Sequence, residues 1–258
     1  MARGVKTYGL PVLALALVLA LPGLASADIF IQQLTHTDSG TVAGQNMPAR
    51  DDTTIAWIGE GKARMVSHDA TMLILADKDA MYVINDKDKT YSEMKLSEAG
   101  DITALLKEQG VDVENEEQMA MMKGMMSAMQ IKVTVTPTDE TKKIEGYECK
   151  KYDVDFAVGM GKISSIYWVT PDIKIDYDML YKIQNAMMLR MPGSMEAIKE
   201  LEKMDGFPVY TETTANMMGA SVKSTTRLLK YAEEPAPAGT YVLPEGYKET
   251  KMKTMPGR

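Results

Sequence analysis

The chain has 258 residues, of which 25% are charged, and a formal net charge of −7. Such an acidic surface repels nucleic acid and anionic lipid headgroups, which argues against functions that need a basic patch. The single cysteine, Cys149, excludes an intramolecular disulfide, and we expect this residue to be buried.

The first 27 residues have the pattern of a cleavable signal peptide. Arg3 and Lys6 provide a positive start, residues 10–21 form an apolar run, and residues 25–27 (ASA) supply the small side chains of a cleavage site. An uncleaved membrane anchor is the alternative, but it needs about 20 apolar residues. We therefore expect the mature protein to be periplasmic and to begin at Asp28.

Removal of residues 1–27 takes away two of the 29 basic side chains and leaves 36 acidic ones, for a net charge of −9. No cysteine follows the apolar run, which excludes a lipoprotein anchor, and no later stretch is apolar enough to span a membrane. We expect a soluble protein with a single domain over residues 28–250 and a flexible tail over residues 251–258.

The predicted elements begin with short strands that alternate in polarity and are separated by turn residues. Helical patterns follow, then strands, helices and strands again. The strands are predicted at residues 53–58, 62–67, 72–76, 80–84, 89–94, 131–136, 146–156, 162–169, 208–217 and 220–231. The helices are predicted at residues 97–109, 114–130, 176–191 and 194–204. Because helices and strands do not alternate regularly, an antiparallel sheet with helices packed on one face is favoured over a parallel α/β fold.

Candidate catalytic groups are few. His36 and His68 are isolated from other metal-ligating residues, and the chain has neither a zinc-ligand spacing nor a nucleophile-elbow motif. The pair Gly161-Lys162 lacks the glycine and the hydroxyl residue that a phosphate-binding loop requires. We therefore predict a protein that is not an enzyme and that has no metal or cofactor.

Methionine is unusually frequent, with 23 residues against three phenylalanines. In residues 119–129, helical spacing places six methionines within an arc of roughly 160°. Such a face packs in a core, lines an adaptable apolar groove, or supplies thioether ligands for Cu(I) through the pairs 122/125 and 126/129. The candidate lining of a groove is Met119, Met122, Met125, Met126, Met129, Met187, Met188 and Met191.

Four short segments carry a family resemblance: residues 143–152 (KIEGYECKKY), 166–173 (IYWVTPDI), 206–209 (GFPV) and 243–248 (LPEGYK). In this order the chain resembles a family of exported bacterial proteins known only as a domain of unknown function, similar in fold to the lipoprotein carriers LolA and LolB. The resemblance implies an α+β fold: a curved antiparallel sheet, or half-open β-barrel, with helices packed on its concave face.

Together these patterns predict an exported protein that binds a lipid, a lipidated protein or another apolar ligand in the periplasm. Two alternatives stay open. One is a structural or protein-interaction module of the cell envelope with a filled core, and the other is a methionine-based Cu(I)-binding protein.

Overall fold

The computed structural model describes residues 27–42, 45–68, 70–97, 115, 117, 124, 130–159, 161–174, 193–217 and 220–250. The signal peptide up to residue 26, the tail at 251–258, and almost all of the predicted helices at 97–109, 114–130 and 176–191 lie outside these residues.

The first part of the chain forms short antiparallel strands. A separate two-stranded hairpin consists of β2 (Gly40–Val42) and β3 (Gln45–Met47). A 3-10 turn, Ala76–Lys78, joins two of the sheet strands. The strands in the main sheet are β1 (Ile29–Thr37), β4 (Arg50–Gly59), β5 (Lys62–Val66), β6 (Thr71–Leu75), β7 (Ala80–Asn85) and β8 (Thr90–Lys95).

The second part adds longer strands and one helix. Helix α1 (Ser194–Leu201) begins where it was predicted and ends three residues earlier. The strands are β9 (Ile131–Ile144), β10 (Tyr147–Val158), β11 (Gly161–Thr170), β12 (Phe207–Met217), β13 (Ala220–Glu233) and the two-residue β14 (Lys248–Glu249).

All strands except the β2–β3 hairpin join one twelve-stranded sheet, in the order β14-β8-β7-β6-β5-β4-β1-β13-β12-β11-β10-β9. Strand β1 lies between β4 and β13, and so connects the meander β4–β8 to the meander β9–β13. The pair β14–β8 is parallel while the other pairs are antiparallel, which makes the sheet mixed.

The predicted fold class is therefore wrong. The two end strands of the sheet, β9 and β14, are not paired with each other, so the sheet is open. Helices packed on a concave face are not what the described residues show, since their single α-helix contacts β9 at one end of the sheet. Strands β4–β13 overlap the ten predicted strands, because period-two alternation is read directly from the sequence, whereas β1, β2 and β3 were not predicted.

Two turns in the resembling segments require their glycines. Glu145 and Gly146 both have positive φ (49° and 92°), as a two-residue hairpin between β9 and β10 demands. Gly206 has φ +122°, and a Cβ atom there would lie 2.0 Å from the Thr170 carbonyl oxygen. Glycine suits position 146 because its positive φ would strain a residue with a side chain, and it suits position 206 because a Cβ atom there would also collide with the backbone.

The C-terminal segment packs across the first meander. Tyr241, Leu243 and Tyr247 cover a cluster that contains Leu73 and Ile84. This segment is also tied down by polar contacts: Arg64 donates to the Thr240 carbonyl at 3.2 Å, and the Ala236 amide donates to Asp28 at 2.9 Å. The C-terminal segment therefore covers this part of the sheet.

We predict that Leu73→Ala lowers the free energy of unfolding by about 2–5 kcal/mol, because it leaves a cavity where a fully buried side chain packed. Leu229→Ala is the matched control, since Leu229 is 46% exposed and its loss should cost within about 0.5 kcal/mol. Urea denaturation of both variants measures the difference. Equal destabilisation would contradict the packing of the C-terminal segment over Leu73.

Candidate functional site

Strand register divides the sheet into two faces of different chemistry. Residues directly opposite each other on neighbouring strands project to the same side, and successive residues alternate. We call the side that carries Ile31 the uncharged face and the other the charged face. Where β11, β12 and β13 pair, Lys162, Glu212, Lys223 and Arg227 lie on the charged face, while Glu233, at the far end of β13, lies opposite Ile29 on the side of Ile31.

The uncharged face of the first meander carries a methionine patch, which we define as Met65, Met72, Met81 and Met94. Met65 lies opposite Met72, and Met81 lies opposite Met94. All four belong to a cluster that also contains Ile31, Ile58 and Ile74. Met81 is buried, whereas the other three are only partly buried. The patch thus presents adaptable apolar side chains at a surface that is not completely covered within the described part of the chain.

A hydroxyl band continues the uncharged face along β1 and across four strands. We define it as Thr35, Thr37, Ser165, Thr211, Thr213, Ser224 and Thr226. Two adjoining rows make up the band: Thr35–Thr226–Thr211 and Thr37–Ser224–Thr213–Ser165. The Thr35 and Thr226 hydroxyls share a hydrogen bond of 2.9 Å, and Ser165 and Thr213 share one of 3.0 Å. Ser165 is 5% exposed, and its buried hydroxyl is satisfied by the hydrogen bond to Thr213 on the neighbouring strand.

Helix α1 covers the far end of the same face. Ala197, Leu201 and Met204 pack with Val133 and Val154. The Glu200 carboxylate also accepts a hydrogen bond from the Val135 amide at 3.2 Å, on the outer edge of β9. Lys203, at 2.6 Å, and then this amide hold the pKa of the Glu200 carboxyl below its ordinary value. The helix therefore closes one end of the uncharged face and occupies part of the sheet edge.

His36 lies on the charged face, opposite Asp51. Its Nδ1 donates to Asp51 at 2.6 Å, and its Nε2 lies 3.3 Å from Asp38. The hydrogen bond to Asp51, supported by the charge of Asp38, holds the pKa of His36 above 6.5. Among the described residues, no group of three or more His, Cys, Asp or Glu side chains could hold a metal ion.

Cys149 is buried, as predicted, at 2% exposure in the cluster that contains Met81. Burial raises the pKa of its thiol, which leaves it protonated at neutral pH and unsuited to act as a nucleophile. In this cluster Cys149 packs as a small apolar side chain.

The structure does not describe the methionines that were predicted to line a groove. Met119, Met122, Met125, Met126, Met129, Met187, Met188 and Met191 all lie outside the described residues. Sequence reasoning missed the methionine patch because it searched for helical spacing. The available signal was period-two alternation, in which Met72 precedes Ile74 and Met81 precedes Val83.

The two arginines of the first strand region occupy different faces. Arg64 lies on the charged face, where it bonds to the Thr240 and Val242 carbonyls. Arg50 lies opposite Thr37 on the uncharged face and pairs with Asp52 at 2.9 Å. This pair is the charged border of the hydroxyl band.

These features define a β-sheet protein whose candidate site is one uncharged face rather than a cluster of catalytic groups. The chain belongs to the family described as domain of unknown function DUF4412, whose model matches residues 108–247, or 140 of its 258 residues. The predicted membership of a family known as a domain of unknown function is thereby confirmed. The likeness to lipoprotein carriers stays a prediction.

Other comparisons add little. No curated protein is similar to this chain. A crystal structure of a DUF1329 family protein from Desulfovibrio piger is similar at 9% identity and a TM-score of 0.29, over 84% of this chain and 89% of that one. Within the described residues, no helix is long and apolar enough to cross a membrane.

We predict that the pKa of His36 lies above 6.5 and falls towards that value in Asp51→Asn, because the variant removes the carboxylate that stabilises the imidazolium. A raised folded-state pKa means that the pair stabilises the fold below about pH 6.5 and loses this effect as pH rises through the folded-state value. Proton NMR titration of the two histidines, with His36→Gln for assignment, measures both. An unchanged His36 titration in Asp51→Asn would contradict the observed pairing.

Proposed function

We propose that this protein binds a lipid, a lipidated protein or another apolar ligand against the uncharged face, without catalysing a reaction. The observation that carries the proposal is the methionine patch. Three of its four side chains are only partly buried, on a face that continues into uncharged hydroxyls. The methionine patch itself carries no charged side chain, and Arg50 and Asp52, at the border of the hydroxyl band, are paired with each other, so an apolar chain on the patch does not have to desolvate an unpaired charge.

The choice of methionine supports binding over simple core packing. Methionine has three rotatable side-chain bonds, so a methionine surface adapts to ligands of varied shape. The direct pairs Met65–Met72 and Met81–Met94 place four flexible side chains next to each other, where a core that only needs filling is usually built from branched residues.

The chemistry of the remaining groups supports a protein that is not an enzyme. His36 and His68 are both exposed, His36 is paired with aspartates, and the thiol of Cys149 is buried with a raised pKa. The hydroxyls of Ser165 and Thr213 bond to each other rather than to a general base. These groups suit recognition by shape and hydrogen bonding.

Export to the periplasm is the second part of the proposal. Ala27 is exposed, and Asp28 accepts hydrogen bonds from the Ala236 amide on its carboxylate and from the Glu234 amide on its carbonyl. Both of these contacts are made with residues that cleavage after Ala27 would retain.

Photolabelling tests the binding site. We expect a long-chain fatty acyl probe with a diazirine on its chain to label Met65, Met72 and Met94 of the purified protein, since these side chains project from the uncharged face. Excess unlabelled lipid should suppress the adducts, and site mapping by mass spectrometry reads them.

Alternate residues of the same strands are the internal control. Leu73 and Tyr82 project to the other face and should remain unlabelled. Met72→Lys should reduce labelling strongly, while Met72→Leu, which keeps an apolar side chain of similar volume, should reduce it little. Equal labelling of both faces, or adducts that unlabelled lipid does not suppress, would refute binding at this face.

Export is tested by expressing the full chain in a Gram-negative host. We expect the periplasmic fraction to contain protein that begins at Asp28, because the small residues at 25–27 direct cleavage there. Ala27→Leu should block cleavage and Ala27→Ser should allow it, and neither should affect folding since Ala27 is exposed. Intact mass spectrometry decides, and an uncleaved protein in the cytosol would contradict the proposal.

A further inference from the structure

The hydroxyl band lies at a distance from the methionine patch that suits the two ends of one amphiphile. Thr35 is four residues from Ile31 along β1, about 13 Å, and Met65 is two strands from β1, about 10 Å. A molecule that reaches from Thr35 to Met65 along the face is then about 16 Å long. This is close to half of the ~30 Å hydrocarbon core of a bilayer, which two acyl chains span.

The band has hydrogen-bonding capacity to offer. A hydroxyl group donates one hydrogen bond and accepts up to two. The pairs Thr35–Thr226 and Ser165–Thr213 use only part of this capacity. In the described portion of the chain, the hydroxyls of Thr37, Thr211 and Ser224 have no hydrogen-bond partner, and these residues are half-buried.

The band offers no free charge. In the strands that form it, Lys162, Lys223 and Arg227 project to the charged face. The cation at its border, Arg50, is paired with Asp52. An anionic headgroup would therefore be desolvated beside neutral hydroxyls and a carboxylate, which costs free energy that no free cation offsets. An ester, amide or hydroxyl group meets matching donors and acceptors without that cost.

We infer that the ligand is an amphiphile with an uncharged polar group, of the acyl ester, acyl amide or long-chain alcohol class, whose polar group bonds to the hydroxyl band. This inference rests on the proposed function, because it names the ligand class of the same face. Thr211 and Thr226 are its specificity-determining residues, and the methionine patch holds the apolar chain.

Competition binding tests the inference. A fluorescent apolar probe, N-phenyl-1-naphthylamine, is bound first and then displaced by a monoacylglycerol or by the fatty acid of equal chain length, at pH 8. We expect the monoacylglycerol to bind at least several-fold more tightly. Thr211→Val removes one hydroxyl while keeping a β-branched side chain, and should weaken monoacylglycerol binding roughly three- to tenfold with probe affinity unchanged.

Thr225→Val is the matched control, because Thr225 lies on β13 next to Thr226 but projects to the charged face. It should bind both ligands like the unchanged protein, and Thr211→Ser, which restores the hydroxyl, should recover the affinity. Probe binding with no preference for the neutral lipid, or with no effect of Thr211→Val, would overturn the inference and leave the proposed function standing. Absence of probe binding would overturn both.

Discussion

The structure depends on strand β1 pairing along both of its edges. Residues 29–37 pair with β4 on one side and with residues 224–233 of β13 on the other. Each meander is built from neighbours in sequence, but the twelve-stranded sheet exists because this one strand joins them. Asp28 reinforces the same junction, since its carbonyl and carboxylate accept amide hydrogens from Glu234 and Ala236. Residues 28–37 are therefore held in the sheet by residues 224–236, which lie far along the chain.

This arrangement has a consequence for folding. Contacts between residues about 190 positions apart form slowly because a long loop must close first. The uncharged face is complete only after β13 has paired with β1, since Thr35 and Thr226 come from opposite ends of the chain.

Sequence patterns predicted the local part of the fold and not the long-range part. Ten of the strands follow from alternation, which neighbouring residues determine, whereas the turn at Glu145-Gly146 was missed because Gly146 was predicted as the first residue of a strand. The β1–β13 pairing and the strand β14 need partners far along the chain, which alternation cannot specify. The half-open barrel was predicted from a resemblance, but closure depends on whether the end strands meet, and β9 and β14 do not.

The sequence pointed to methionine, but not to the methionines of the patch. Methionine abundance pointed to an adaptable apolar surface, and the helical search placed it in segments outside the described residues. The pairs Met65–Met72 and Met81–Met94 require the register of four strands, which only the structure supplies. The hydroxyl band is less visible still, because Thr and Ser alternating with charged residues in β12 and β13 also suits an ordinary solvated sheet.

Within the described part of the chain, neither the C-terminal segment nor helix α1 packs on the methionine patch. Val135 directs its amide to the outer edge of β9, where Glu200 accepts it, and Pro137, two residues on, has no amide to offer. This part of the edge is thus blocked against strand addition, as exposed edges in natural sheets commonly are. The charged face carries its own pairs, such as Ser164 with Asp155, and over the first meander it is covered by the C-terminal segment. This distribution of charge, hydroxyls and methionine is the reason why we propose the uncharged face as the binding surface.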